Sequence, residues 1–369
     1  MGTARAAFFD GRAGQLELRD VPLPTPAAGE TLVRVVGCTL CGSDVHSFDG
    51  RRQVAVPTVL GHEIVGEVVA VGDGVTVAPG ARVVWAIVAH CGGCMPCRSG
   101  MPQKCEHAWK YGHQRADAGR ELSGGLATHC LLARGTTIVE LPETMPLEVA
   151  APAGCATATV VAAFDAAQGV DGRSVLVFGA GMLGLTACAF AKQHGAGRVV
   201  AVDPDPERRA LAQRFGADEV FAPERVFAPE RVFAPERVFA PERVLAPERD
   251  GGRFDCGFDR VFEFSGHRDA CAAAVDAGGL GADVVLVGAV FPDAPIEVSA
   301  ERVVRGLLHL HGVHNYAPVH LSRAVAFLAQ AHRRYPFAEL VAGWVGLDEV
   351  DQAFARASAG TAVRVGVRP

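Results

Sequence analysis

The rhythm of apolar and polar positions changes near residue 151. Before it come short β-like runs, TLVRVVG at 31–37 and EIVGEVVAVG at 63–72 among them, with turn signals at Gly72-Asp73-Gly74 and Pro79-Gly80. Short runs punctuated by Gly and Pro predict a compact, mostly-β domain. Beyond it, SVLVF at 174–178 reads as a buried strand, the stretch to His194 as a helix, and RVVAV at 198–202 as a second strand. Further strands are expected at 260–264 (RVFEF) and 283–288 (DVVLVG). Strands alternating with helical stretches predict a parallel sheet covered on both faces, so the fold class is α/β. From about Ala317 a helical pattern (HLSRAVAFLAQAHRR) leads to a last β-like run, AVRVGVRP.

At 369 residues the chain is too long for one small core and suits two domains. Hydrophobic content of 49% and charged content of 21% are ordinary for a soluble globular enzyme. A net charge of −6 without a basic run argues against a nucleic-acid partner. No apolar stretch is long enough to span a bilayer, and MGTARAAFFDG carries no signal-peptide pattern. Eleven cysteines, clustered at metal-ligand spacing without a secretion signal, point to a reducing cytoplasm and away from a disulfide framework.

Residues 221–249 read FAPERV four times in tandem and then LAPER. A parallel β-helix would need inward apolar residues in stacked coils, and here Pro recurs in every unit. Pro removes a backbone donor and biases its predecessor away from helix, so the segment is expected to be an extended surface loop enlarged by repeat expansion.

Cys91, Cys94, Cys97 and Cys105 are spaced C-x2-C-x2-C-x7-C. Four thiolates so close in sequence can close a tetrahedral shell around one zinc ion, which makes a structural site. A second donor set starts with Cys41 in CGSDVH and His62 in GHE, 21 residues apart. A catalytic zinc needs a third protein ligand, and Cys155 in APAGCATATV is the candidate. Alone, a cysteine in an Ala/Thr-rich stretch reads as a small packing residue; beside a Cys/His pair the metal reading gains.

Gly179-Ala180-Gly181-Met182-Leu183-Gly184 is a G-x-G-x-x-G placed after one expected strand and before a helix. There the glycines permit a tight turn, close approach of a pyrophosphate and close helix packing, with Met182 and Leu183 at the helix N-terminus that receives the phosphates. Asp203 ends the second strand, 19 residues past Gly184, where a carboxylate binds the adenosine ribose hydroxyls. Its charge favours NAD over NADP, although Arg208 and Arg209 follow closely.

Taken together, the CGSD-type motif, GHE, the four-cysteine lobe, Cys155 and the glycine turn resemble a medium-chain zinc-dependent alcohol dehydrogenase. The resemblance runs nearly end to end apart from the repeats. It implies a GroES-like mostly-β catalytic domain at 1–153 and 317–369 and a doubly wound Rossmann domain at 154–316, with the active site in the cleft between them. It implies two zinc ions per subunit, a catalytic one on Cys41, His62 and Cys155 and a structural one on the four-cysteine lobe. Glu63 stands behind the catalytic metal. Zinc would lower the pKa of a bound alcohol, and hydride would pass to NAD. Ser43, with His46 beyond it, would carry away the proton. Asp44 is expected to anchor its loop. Backbone near Val287 and Ala289 would meet the carboxamide of the cofactor, and the subunit would form a homodimer or a homotetramer.

Within that family, KYGHQRADAGRELSGGLATHC, GCATATV, GAGMLGLTA and GVHNYAPVHL look most like a subgroup associated with phosphonate metabolism. That implies a phosphonate-bearing alcohol or aldehyde, with Lys104, Lys110, Arg115 and Arg305 as candidate anion partners. Trp85, Ile87 and the 107–115 loop are the expected pocket lining. A polyol or amino-alcohol dehydrogenase of the same family would share both sites, often with a glutamate in place of Cys155. A zinc-stabilised binding protein without catalysis would need defects in Cys41, Ser43, His62 or the glycine triad, and all are intact. Cys38, Cys130, Cys188, Cys256 and Cys271 read as reduced packing residues.

Overall fold

The computed structural model describes residues 2–117, 119–225, 257–291 and 295–369. The repeats from Val226 onward, and Cys256, lie outside these residues. The chain divides into two units, residues 1–158 with 315–369, and residues 159–314. The divisions fall a few residues from the expected 153/154 and 316/317, the first of them inside a helix.

The strands of the N-terminal part are β1 (Thr3–Phe9), β2 (Glu17–Pro22), β3 (Thr31–Thr39), β4 (Thr58–Val59) and β5 (Glu63–Val71). They continue with β6 (Arg82–Trp85), β7 (Val88–Ala89), β8 (Trp109–Lys110), β9 (His129–Leu132) and β10 (Ile138–Glu140). The second unit supplies β11 (Ser174–Phe178), β12 (Arg198–Val202), β13 (Glu219–Phe221), β14 (Phe258–Glu263), β15 (Gly278–Leu286) and β16 (His309–Gly312). Strands β17 (Val341–Gly346) and β18 (Arg364–Arg368) return the chain to the first unit. The helices are α1 (Gly42–Phe48), α2 (Met95–Arg98), α3 (Leu147–Ala150), α4 (Ala156–Ala166) and α5 (Met182–Gln193). They are followed by α6 (Pro206–Arg214), α7 (Arg268–Ala277), α8 (Ala300–Gly306), α9 (Pro318–Ala331) and α10 (Val350–Ser358).

In the first unit the main sheet runs β10-β6-β5-β3-β18-β17, with β9 also paired to β3, beside a smaller β2-β1-β4 sheet. Val33, Val35, Ile64, Val68, Val83, Val365 and Val367 turn their side chains into one buried cluster with Phe8, Phe48 and Phe354. That burial drives the strands together, each buried Val or Phe contributing about 1.5–3 kcal/mol before entropy is subtracted. The C-terminal strand β18 joins antiparallel to β3, Gly366 opposite Thr39 and Val367 opposite Cys38. The donor-bearing stretches 40–41, just after β3, and 60–62, just before β5, therefore lie at the end of the sheet where the C-terminal strand joins.

The second unit is a six-stranded sheet in the order β13-β12-β11-β14-β15-β16, with every pair parallel. The apolar run SVLVF is buried along Val175–Phe178, as a central strand covered on both faces must be. Strand order reverses between β12-β11 and β11-β14, and ligands of such sheets bind outside the strand ends at that switch. Strand β15 begins at Gly278, earlier than the expected 283. The Gly-rich start GGLGA pairs all the same, because Gly279 passes so close to Gly257 that a Cβ there would lie 3.2 Å from its backbone. No single helix among the described residues is long and apolar enough to cross a membrane.

Candidate functional site

Cys41 is the N-cap of α1, and the Asp44 carboxylate three residues on accepts its amide at 3.0 Å. The other Asp44 oxygen accepts the Gly61 amide at 3.0 Å and lies 3.1 Å from Nδ1 of His62. Asp44 is fully buried, so one carboxylate ties two stretches of chain together and fixes the imidazole with Nε2 turned away from the carboxylate. The loop before His62 can approach so closely only because Gly61 has φ +91°, where a Cβ would sit 2.7 Å from the Cys38 sulfur. Asp44 does more than anchor its loop: it orients a donor.

Cys155 follows a 3-10 turn, Ala151–Gly154, just before α4. Tyr316 holds that turn, donating its hydroxyl to the Gly154 carbonyl and accepting the Ile87 amide at 3.3 Å. The thiols of Cys41 and Cys155 and the His62 imidazole then converge, all donor atoms lying within 4.8 Å of one another. A hydrogen bond from Cys155, with the positive Arg364 and His62 nearby, holds the Cys41 thiol well below its usual range. Burial disfavours charge on His62, but the Asp44 carboxylate and the Cys41 sulfur together outweigh it and raise the imidazole. Two thiols and an imidazole are a zinc donor set, and three protein donors suit a zinc with one position left open.

Behind these donors lies Glu63, fully buried at the start of β5. Arg364 grips it with two hydrogen bonds, Nε to Oε2 at 2.8 Å and Nη2 to Oε1 at 2.9 Å. Thr39 adds a third at 2.7 Å, and Arg364 Nη2 also reaches the Cys41 sulfur at 3.7 Å. Burial pushes Glu63 up and Arg364 pulls it back. Ser43 Oγ stands 3.4 Å from His62 Nε2, beside the donor triad. His46, partly buried in the last turn of α1, is lowered by burial and by Arg51.

One pocket assignment is corrected. Trp85 is a core residue, edge-on to the buried Tyr111 at 6.1 Å. Arg115 pairs with Asp117 at 2.8 Å, and Arg305 with Glu301 at 3.0 Å one helical turn away, both as exposed surface pairs. His113 does lie against the donors, its ring 4.9 Å from that of His62. Arg52, not anticipated from sequence, reaches the His113 ring at 3.4 Å. Lys110 is half-buried, its ammonium lowered by burial and then by the like charges of Lys104 and Arg52. No carboxylate among the described residues pairs with Arg52 or Lys110. Cys38, Cys130, Cys188 and Cys271 are buried and, among the described residues, form no disulfide.

The four-cysteine lobe is folded by backbone amides. Those of Gly93 and Cys94 point at the Cys91 sulfur, each at 3.4 Å, and draw its thiol down to about 6. The amides of Cys91 and His107 reach the Cys105 sulfur at 3.3 Å. Cys94, the N-cap of α2, has its sulfur 3.4 Å from that of Cys97 and 3.8 Å from that of Cys105. Four sulfurs within 4.8 Å fit a closed tetrahedral zinc site.

In the second unit Gly179 follows β11 with φ +88°, and a Cβ on it would press on Ser265 at 3.0 Å. A Cβ on Gly184 would lie 1.7 Å from the Gly179 carbonyl, while around Gly181, the N-cap of α5, nothing lies within 4 Å. Space is open where a phosphate would approach and closed where the helix packs, which fits a dinucleotide turn. Met182 and Leu183 begin α5. Asp203, just past β12 and buried, accepts the Ala180 amide at 2.7 Å and the Asp205 amide at 2.9 Å, so it also ties down the glycine turn. Arg209 is bound to the carbonyls of Asp203 and Pro204. At the end of β15, the amides of Val287 and Gly288 donate to the Glu263 carbonyl, with Ala289 next in line. The Glu263 carboxylate, unremarked from sequence, accepts the amides of Ser265 and Gly266 at 2.7 and 2.8 Å and locks that loop.

Residues 27–143 match the family profile of the alcohol dehydrogenase GroES-like domain, and residues 183–330 that of zinc-binding dehydrogenase. The chain is 36% identical over 233 residues to geraniol dehydrogenase of Castellaniella defragrans, covering 58% of this chain and 62% of that one. It is 30% identical over 374 residues to 5-exo-hydroxycamphor dehydrogenase of Pseudomonas putida, covering 99% and 98%. Several curated relatives are matched over only 57% to 63% of their own length. Among solved structures, an alcohol dehydrogenase of Thermotoga maritima superposes over 100% of both chains with a TM-score of 0.88 at 25% identity.

Proposed function

The chain belongs to the medium-chain, zinc-type alcohol dehydrogenase family, and from that premise we propose that it interconverts an alcohol and its aldehyde or ketone with NAD as hydride partner. The observation that carries this reading is the convergence of Cys41, His62 and Cys155, with the open glycine turn at 179–184 as its counterpart. Zinc on that triad supplies Lewis acidity toward the substrate oxygen, and the dinucleotide supplies hydride chemistry. The four-cysteine lobe is read as holding a second, structural zinc.

The chain's own residues do the rest. Asp44 sets the His62 tautomer, and Glu63 with Arg364 stiffens the ground behind Cys41. Ser43 Oγ is the hydroxyl beside the donors and takes the substrate proton. His46, lowered by burial, is neutral at pH 7 and able to accept that proton onward. Asp203 opposes a 2′-phosphate by its charge, which favours NAD over NADP. Val287 and Ala289 are read as the backbone that faces the carboxamide, and the subunit as forming a homodimer or homotetramer.

For the substrate we propose an anionic alcohol or aldehyde, with a phosphonate as the group in view. Among the described residues no carboxylate pairs with Arg52 or Lys110, and Arg52 touches the histidine that lies against His62. A dianion is the natural partner for such a pair.

The test is NAD and NADP reduction by zinc-loaded protein across matched alcohols, each hydroxyalkylphosphonate beside its uncharged analogue and a simple polyol. A preference for the phosphonate that collapses in Arg52→Gln supports the anion pocket. Preference for uncharged alcohols removes the pocket and keeps the dehydrogenase. No turnover in protein that binds both zinc and NAD counts against the substrate classes tried.

A further inference from the structure

The second unit holds another set of converging donors, none of them part of the sites described above. Asp283 lies on β15, and His309 and His311 lie on the edge strand β16, with Asp283 in register with His309. Alternate residues of a strand share a face, so both imidazoles stand on the side where the carboxylate is. Asp283 Oδ1 is 3.3 Å from His309 Nδ1 and 2.7 Å from His311 Nε2, and the three donor atoms all fall within 4.8 Å.

The remaining oxygen of Asp283 is occupied. Arg260 Nη1 meets Oδ2 at 3.0 Å, and Arg260 is itself held by the carbonyls of Gly169 and Asp259 at 3.0 and 2.8 Å. The arginine thus fixes the carboxylate plane and leaves Oδ1 turned toward both imidazoles. Asp283 is buried, while His311 is half-buried and His309 exposed, so the donor face is open to an ion from solvent.

We infer that Asp283, His309 and His311 form a site for one divalent transition-metal ion. Two imidazole nitrogens and one carboxylate oxygen suit zinc, nickel, cobalt or copper, whereas calcium and magnesium want oxygen shells. Binding joins β16 to β15 through side chains as well as through the backbone ladder, and so stiffens the sheet edge. Because Arg260 offsets the carboxylate charge, the site is weaker than the thiol-rich ones, and a mild chelator empties it first.

The experiment titrates Ni2+ into protein whose cysteine sites are already filled with zinc, by calorimetry, with released zinc monitored in parallel. The expected result is one Ni2+ bound per chain without zinc release, a higher melting temperature with Ni2+, and no response to Mg2+. His309→Asn and His311→Asn each weaken binding at least about tenfold, since even outer-shell changes cost that much. His309 is exposed, so His309→Asn tests the site without risk to folding. Equal nickel binding by the double variant, nickel uptake matched by zinc loss, or an equal response to Mg2+ would overturn the inference.

Discussion

Replacing Arg364 by Met removes the cation that holds Glu63. Both side chains are buried, 8% and 0% exposed, and two charge-assisted hydrogen bonds of 2.8 and 2.9 Å are lost together. Removing one partner of a buried pair leaves an uncompensated charge, at a cost of about 3–5 kcal/mol. Glu63 can escape part of this by taking up a proton, because burial already raises it and Arg364 is the main influence against that. For a folding unit of this size each kcal/mol moves the melting temperature by about 2–4 °C, so a drop on the order of 10 °C is expected. All three tryptophans, Trp85, Trp109 and Trp344, belong to the first unit, so their fluorescence follows that unit alone. Glu63→Leu should cost a similar amount, and the double variant much less than the sum, because two apolar side chains leave no stranded charge. If Arg364→Met costs under about 1 kcal/mol, as an exposed pair would, or if the two single costs simply add, the reasoning fails.

Tyr316→Phe frees the turn before Cys155 and should weaken zinc retention by about 10–100-fold against a chelator with the fold intact by circular dichroism; unchanged retention would show that Cys155 is placed without it. Gly184→Ala drives a Cβ into the Gly179 carbonyl, so NAD affinity measured by calorimetry should fall at least about tenfold, and an unchanged Kd would refute the packing argument. His46→Gln should slow alcohol oxidation most near neutral pH. The imidazole, lowered by burial, stays neutral there and accepts a proton until pH falls through its depressed pKa, whereas at alkaline pH hydroxide replaces it; a parallel pH–rate profile would take His46 out of the relay. Deleting four FAPERV units should leave turnover within about twofold, since loop length carries only a logarithmic entropic cost, and loss of solubility or activity would assign the repeats a function.

The elements easiest to read were those whose signal is local. SVLVF and RVVAV match β11 and β12 at both ends, because a strand buried on both faces needs an unbroken apolar run. The start of β15 was hidden by glycines that serve backbone approach and mimic a loop. The four cysteines were legible because their whole shell is folded by amides within 17 residues, from Cys91 to His107. For Arg115 and Arg305 the sequence carried no mark of their carboxylate partners, Asp117 and Glu301, although both lie within four residues. Asp44 could have been seen as more than an anchor, since it stands three residues past Cys41 where an N3 carboxylate reaches back to an N-cap.

What orients the metal donors is long-range, and no local pattern announces it. Arg364 is 301 residues from Glu63, and Tyr316 is 162 residues from Gly154. Both arrive by way of the C-terminal return to the first unit, where β18 pairs with the end of β3 beside Thr39. That pairing sets Thr39 and Arg364 on the same Glu63 carboxylate, one from each strand. The donors Cys41, His62 and Cys155 are thus encoded in the first 155 residues, but their rigidity is completed only when the last strand has docked. It follows that metal affinity and folding of the first unit are coupled: a change in β18 that touches no donor should still loosen the ion. A change of equal cost to stability in β2, on the separate small sheet, should lower the melting temperature and leave affinity alone.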